Sequence, residues 1–173
     1  EIKLNLPTKD QIRQLIARSG SNPGDFINQK QVMDLIKLAE LPETFCSQIS
    51  EKGSGSAIYK ELQEKTKVEI QMVAEWVLIE KSGKHLDDTL KADFNDVNLI
   101  EHFQSFYRYR IVSNISIGKI FGSLEEKKEG LNIMQYSVKQ SSLEQIFNAF
   151  ANNAVTLKKN EDSSTKRTQK ADS

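Results

Sequence analysis

The sequence predicts an α+β fold built on a four-stranded antiparallel sheet with helices on one face, and three stretches carry that reading. Residues 2–6 alternate Ile2, Leu4 and Leu6 with Lys3 and Asn5, the period of a half-buried strand. Tyr107, Tyr109 and Ile111 alternate in the same way with Arg108 and Arg110, and Met134, Tyr136 and Val138 with Gln135, Ser137 and Lys139. Between and after them run helical stripes. The order is strand, helices, strand, strand, helix, strand, helix: a ferredoxin-like βαββαβ pair, with a helical insertion in the first crossover and a C-terminal helix.

Each element has its own signal. Pro7 ends the first strand; Thr8 with Gln11 forms a capping box for a helix whose stripe is Ile12, Leu15 and Ile16. Ser19 to Gly24 is a turn-rich break. Asn28 caps a helix carrying Val32, Leu35, Ile36 and Ala39, and Pro42 opens a short segment with Phe45 and Ile49. Gly53-Ser54-Gly55-Ser56 reads as a flexible joint before a short helix from Ala57 to Glu64. Thr66 and Glu69 form another capping box, for a helix with Val68, Met72, Val73, Trp76 and Ile79 inward, which Ser82-Gly83 ends. Residues 25–82 are thus expected as a helical insertion.

The last third returns to strands. Val97 to Phe103 is a strand candidate, and Gln104-Ser105 a two-residue turn lacking the usual Gly or Asn. Ile117, Ile120, Phe121 and Leu124 fall on one helix face, with Gly130 as cap. Ser141 and Glu144 form a third capping box, for a closing helix with the stripe Leu143, Ile146, Phe147 and Phe150. Beyond Ala154 almost nothing is apolar, so 155–173 are expected to be a disordered polar tail.

Bulk properties narrow the function. With 24 basic and 24 acidic residues the formal net charge is +0, which removes the sequence-independent attraction that drives most nucleic-acid binders. The single Cys46 excludes an internal disulfide and fits a reducing compartment. No run approaches the roughly 20 apolar residues of a membrane span. The chain opens within a strand-like segment, without a signal-peptide pattern, as an excised fragment would.

Catalytic and ligand motifs do not assemble. After Gly53-Ser54-Gly55-Ser56 comes Ala57-Ile58-Tyr59, without the lysine and Mg²⁺-binding hydroxyl of a phosphate loop. His85 and His102 lack Cys or His partners at ligand spacing; Asp87-Asp88 beside His85 reads as a solvated polar loop. No metal, cofactor or catalytic residue is therefore expected. The run from Glu125 to Glu129 reads as the exposed side of a helix end. Phe106-Tyr107-Arg108-Tyr109-Arg110 is the one stretch like an RNA-recognition sheet, which stacks bases on outward aromatics. The alternation instead turns Tyr107 and Tyr109 inward with Ile111 and the arginines outward. An RNA-binding domain on a βαββαβ sheet stays as the alternative.

Tyr136-Ser137-Val138-Lys139-Gln140, then Ser141-Ser142-Leu143-Glu144, then Ile146-Phe147-Asn148-Ala149-Phe150, resembles the closing motif of A-subfamily ABC transporters. Leu99-Ile100-Glu101-His102 and Tyr107-Arg108-Tyr109 resemble the hairpin before it, and Ile120-Phe121 with Leu124-Glu125 the intervening helix. The likeness is dense over about 97–152; residues 22–82 are longer than that family's usual first crossover. The resemblance implies a non-catalytic regulatory domain over 1–154, on the cytoplasmic face of a membrane within an integral, lipid-moving transporter. Its implied partners are the nucleotide-binding domains and the counterpart regulatory domain, with no nucleic acid and no membrane insertion by this stretch; ATP hydrolysis would belong to the neighbouring domain. The implied interaction residues are Tyr136, Gln140, Leu143, Ile146, Phe147 and Phe150. As an ordinary core stripe, those apolar side chains would instead pack on the domain's own sheet.

Overall fold

The computed structural model describes residues 1–112 and 115–140. The chain divides into two units, Glu1–Val138 and Lys139–Ser173, and every described helix and strand lies in the first. Of the second unit, Lys139 and Gln140 are described, and both are exposed. The closing helix expected from Ser141 onward and the polar tail lie outside the described residues.

The first unit holds two apolar cores. The helical core starts from capped helices. Thr8 Oγ1 accepts from the Gln11 backbone N–H, and the Thr8 backbone N–H donates to Gln11 Oε1 in return, starting α1 (Lys9–Arg18). Asn28 and Gln31 repeat the device at α2 (Gln29–Leu38). A 3-10 turn, Glu43–Gln48, leads to α3 (Ser56–Lys65). Two short strands, β2 (Phe26–Ile27) and β3 (Val68–Glu69), pair antiparallel and tie two helix–strand–helix units together. The second of these helix–strand–helix pairs ends in α4 (Ile70–Asp93). Ile16, Leu35, Ile36, Ile58, Val73 and Val77 are all essentially inaccessible here. Each such side chain contributes about 1.5–3 kcal/mol of burial.

Five expectations fail in this region. Thr66 and Glu69 form no capping box: Thr66 takes a left-handed conformation (φ 59°) closing α3, and Glu69 is spent on the β2–β3 pairing. Met72 points outward. The Gly53–Ser56 stretch is a packed turn, because the Gly55 N–H donates to the Gln48 carbonyl at 3.0 Å and the Trp76 indole donates to Ser54 Oγ at 3.2 Å. Ser82-Gly83 does not end a helix; α4 runs ten residues further, to Asp93. Gly83 serves close approach instead, since a Cβ there would lie 2.0 Å from the Tyr107 hydroxyl. His85, Asp87 and Asp88, expected in a loop, are therefore on a helix, where Lys84 pairs with Asp88 and Lys91 with Asp87.

The sheet core lies against the second half of α4. β1 (Ile2–Leu4), β4 (Val97–Phe103), β5 (Phe106–Ile111) and β6 (Ile133–Tyr136) form one antiparallel sheet in the order β4-β5-β1-β6. The first strand stops two residues early, and Leu6 is exposed. The Gln104-Ser105 turn forms without Gly or Asn, Gln104 taking a φ of 51°. Tyr107 is buried, as the alternation predicts, and packs with Ile2, Leu4, Leu86, Leu90, Leu124 and Ile133. Along β6, Ile133 rather than Met134 turns inward, because the β1–β6 register shifts between Lys3 and Leu4. The helix α5 (Ile117–Lys127) joins the same core, and Asp93 of α4 binds both Ser123 and Lys127 on it. Both helices thus cover one sheet face.

Candidate interaction surface

Within the sheet half, α5, β6 and the β4 edge each carry exposed large apolar side chains; others are Leu6, Phe26, Met33, Met72 and Val112. The α5 stripe splits: Leu124 is buried and Ile120 packs against the core, but Ile117 and Phe121 are 41% and 51% exposed. Tyr136, on β6 opposite Ile2, lies beside Phe121 with ring centroids 5.1 Å apart. Its hydroxyl donates to the Glu125 carboxylate. Partial desolvation, then the Glu125 carboxylate, push the Tyr136 phenol up to about 12. Tyr136 therefore stays a neutral hydrogen-bond donor fixed to α5, a shape-setting role rather than an acid–base one. Met134 adds a further outward apolar side chain on the same strand.

β4 is an edge strand, and Leu99, Ile100 and Phe103 on it are 46%, 50% and 66% exposed. Its pairing with β5 shifts register between Leu99 and Glu101, a bulge of the kind that discourages indiscriminate strand addition. On the open sheet face Arg108 is held by Glu101 at 2.8 Å and Glu1 at 3.4 Å and sits 5.9 Å from the Phe106 ring centroid. Arg110 and Lys3 share this exposed face by alternation. The tyrosines stand on the other side, withdrawn from any base-stacking role.

Residues 67–140 match the family model described as ABCA1-like, C-terminal R1 regulatory domain. This segment is a C-terminal regulatory domain of the A-subfamily ABC transporter type. The match begins just before α4 and runs through β6, so the regulatory domain's signature includes the long helix, the hairpin, α5 and the strand bearing Tyr136. No curated protein and no solved structure matches the chain.

Of the interaction residues expected for this regulatory domain, Tyr136 sits on β6 against α5 and Gln140 is exposed just beyond it. Leu143, Ile146, Phe147 and Phe150 lie outside the described residues. Sequence reasoning missed the outward turn of Ile117 and Phe121, whose i, i+4 spacing is that of a core stripe. It also missed the exposed β4 edge. A Cβ at Gly118 or Gly122, on a neighbouring side of α5, would meet nothing within 4 Å among the described residues. Among those residues no cluster of His, Cys, Asp and Glu could hold a metal ion, and no helix is long and apolar enough to cross a membrane.

Proposed function

We propose that the chain is a non-catalytic interaction domain that modulates ATP-driven transport, most plainly of lipid, by a transporter of this subfamily. It would do so by contacting the nucleotide-binding domains and the counterpart regulatory domain at the cytoplasmic face of the membrane. The supporting observation is exposed Phe121 beside Tyr136, with Ile117 exposed one turn earlier on α5 and Met134 exposed on β6, all within the family-matched segment. Exposed apolar groups gathered beside a fixed aromatic are the usual form of a protein contact. Gln140, Leu143, Ile146, Phe147 and Phe150 are the further interaction residues of this reading. The strand order β4-β5-β1-β6, all antiparallel, is the order a ferredoxin-like βαββαβ unit gives. The helical insertion of about residues 25–82 then overlaps the matched region from residue 67 onward, and the domain runs to about residue 154.

The test uses the whole transporter. Phe121→Ser and Phe150→Ala should each change basal and substrate-stimulated ATPase activity while leaving membrane insertion and nucleotide binding intact. Unchanged ATPase activity in both would overturn the reading. Filter binding of the 173-residue chain to single-stranded RNA separates the alternative, since the arginine face is partly neutralised by Glu101 and Glu1. Micromolar, salt-sensitive RNA binding would favour it instead.

A further inference from the structure

Where the helical core meets the sheet, the structure holds a buried carboxylate. Glu80, on α4, is only 4% exposed, and its Oε1 has no hydrogen-bond partner. Facing it is the His102 ring on β4, with Nε2 at 3.6 Å from that oxygen. The same Nε2 lies 2.9 Å from the Gln104 carbonyl. A carbonyl only accepts, so Nε2 carries a hydrogen, and that hydrogen is aimed at Gln104 rather than at Glu80. The ring cannot swing freely, because it stacks on Tyr107 with centroids 4.3 Å apart, and Tyr107 is wedged against Gly83.

The other side of Glu80 reaches into the helical core. Ser54 stands on this side and favours the charged form of Glu80, and the Trp76 indole donates to Ser54 Oγ at 3.2 Å. A single chain of groups, Trp76–Ser54–Glu80–His102, thus runs from one core to the other. The remaining charged and titratable groups on this seam are accounted for. On α4, Lys84 pairs with Asp88 and Lys91 with Asp87; on β5, Tyr107 and Tyr109 are kept neutral by burial. Just outside the seam, Lys81 of α4 is taken by Glu40. Asp87 Oδ1 and the Tyr109 hydroxyl are the other two unpartnered buried side-chain atoms among the described residues.

We propose that Glu80 and His102 form a proton-sensitive clamp joining the helical core to the sheet. One proton held by the pair makes it either a neutral carboxyl beside a neutral ring or an ion pair, and both suit a buried site. Removing that proton leaves an uncompensated carboxylate in a desolvated seam, which is costly. Burial raises the carboxyl's proton affinity, with Ser54 and then His102 opposing it. The sign follows: the clamp's contribution is full below the unfolded carboxyl value and is lost as pH rises through the folded one. Helix α4 and the hairpin would then separate more readily, giving a regulatory domain whose two halves couple according to pH. This goes beyond the proposed function and does not depend on it.

Trp76 is the chain's single tryptophan and reports on the seam directly. Its emission should be titrated in the 173-residue chain across roughly pH 4–9, a span covering carboxyl and imidazole titration. The native chain should show one step above the ordinary carboxyl range, and its urea midpoint should fall across the same step. Glu80→Gln, which keeps the shape and cannot ionise, should abolish the step and level the midpoint. His102→Gln should move the step upward, because the buried carboxyl loses its cation. A native emission profile matched by Glu80→Gln, or a step left unmoved by His102→Gln, overturns the proposal. If Glu80→Gln does not fold, His102→Gln alone decides.

Discussion

The Tyr107 hydroxyl rests on the backbone of Gly83, so closely that an added methyl would lie 2.0 Å from it and 2.5 Å from the ring carbon behind it. The ring cannot move aside, stacked as it is between His102 and Tyr109. Gly83→Ala gains ~1 kcal/mol of helix propensity. Overpacking should outweigh that, for a net loss of about 1–2 kcal/mol. Urea denaturation of Gly83→Ala, with Tyr107→Leu as a rescue background, checks it; a stabilised Gly83→Ala would refute the packing argument.

Gly53 faces the same constraint from backbone. A Cβ there would lie 2.0 Å from the Gln48 carbonyl oxygen, an atom that cannot rotate away, and 2.9 Å from Ser50 Oγ. Gly53→Ala should therefore destabilise the chain by about 2–3 kcal/mol, at the upper end of overpacking costs. A truly flexible joint would lose less than about 0.5 kcal/mol. The denaturation midpoint distinguishes the two.

Asp93 ties α4 to α5. The Lys127 ammonium, and next the Ser123 hydroxyl, hold its carboxyl below the usual aspartate value. A depressed carboxyl contributes stability above its unfolded value, which is lost as pH falls through the folded one. Stability should therefore decline below about pH 4, and Asp93→Asn should remove that part of the decline. At neutral pH the substitution should cost about 1.5 kcal/mol, the low end for a charged hydrogen bond, because Lys127 is 37% exposed. Thermal melts at matched ionic strength read both effects.

Phe103 and Phe121 should matter little to the isolated chain. At 66% and 51% exposed they bury too little to hold the fold, so Phe103→Ser and Phe121→Ser should each shift stability by less than about 1 kcal/mol. Both should also reduce binding of an apolar dye. A loss of several kcal/mol at Phe121 would assign it to the core and withdraw it from the interaction surface.

Local order alone wrote much of this molecule. The caps at Thr8 and Asn28 form from residues three apart, and the alternation through Tyr107, Tyr109 and Ile111 assigns those side chains to the inner face of the sheet. The hairpin of β4 and β5 and the outward arginines were legible for the same reason: their signals lie within a few residues of each other. The motif residues from Tyr136 onward marked the family, though most of them fall outside the described residues.

What the sequence could not decide was which short-range signal a distant partner would overrule. Ser82-Gly83 has the composition of a helix end, but Tyr107, on a strand more than twenty residues later, needs that glycine's missing side chain, so α4 continues. Thr66 and Glu69 have capping spacing, yet β2 claims Glu69 for a ladder. Ile117 and Phe121 have core spacing, but of that stripe only Leu124 and Ile120 meet the sheet core. Glu80 and His102, an unremarkable carboxylate and a lone histidine in the chain, become a pair only when α4 is laid along β4. Periodicity determines which face of an element is apolar; the tertiary structure alone decides what that face meets, because contact depends on groups brought together from far along the chain.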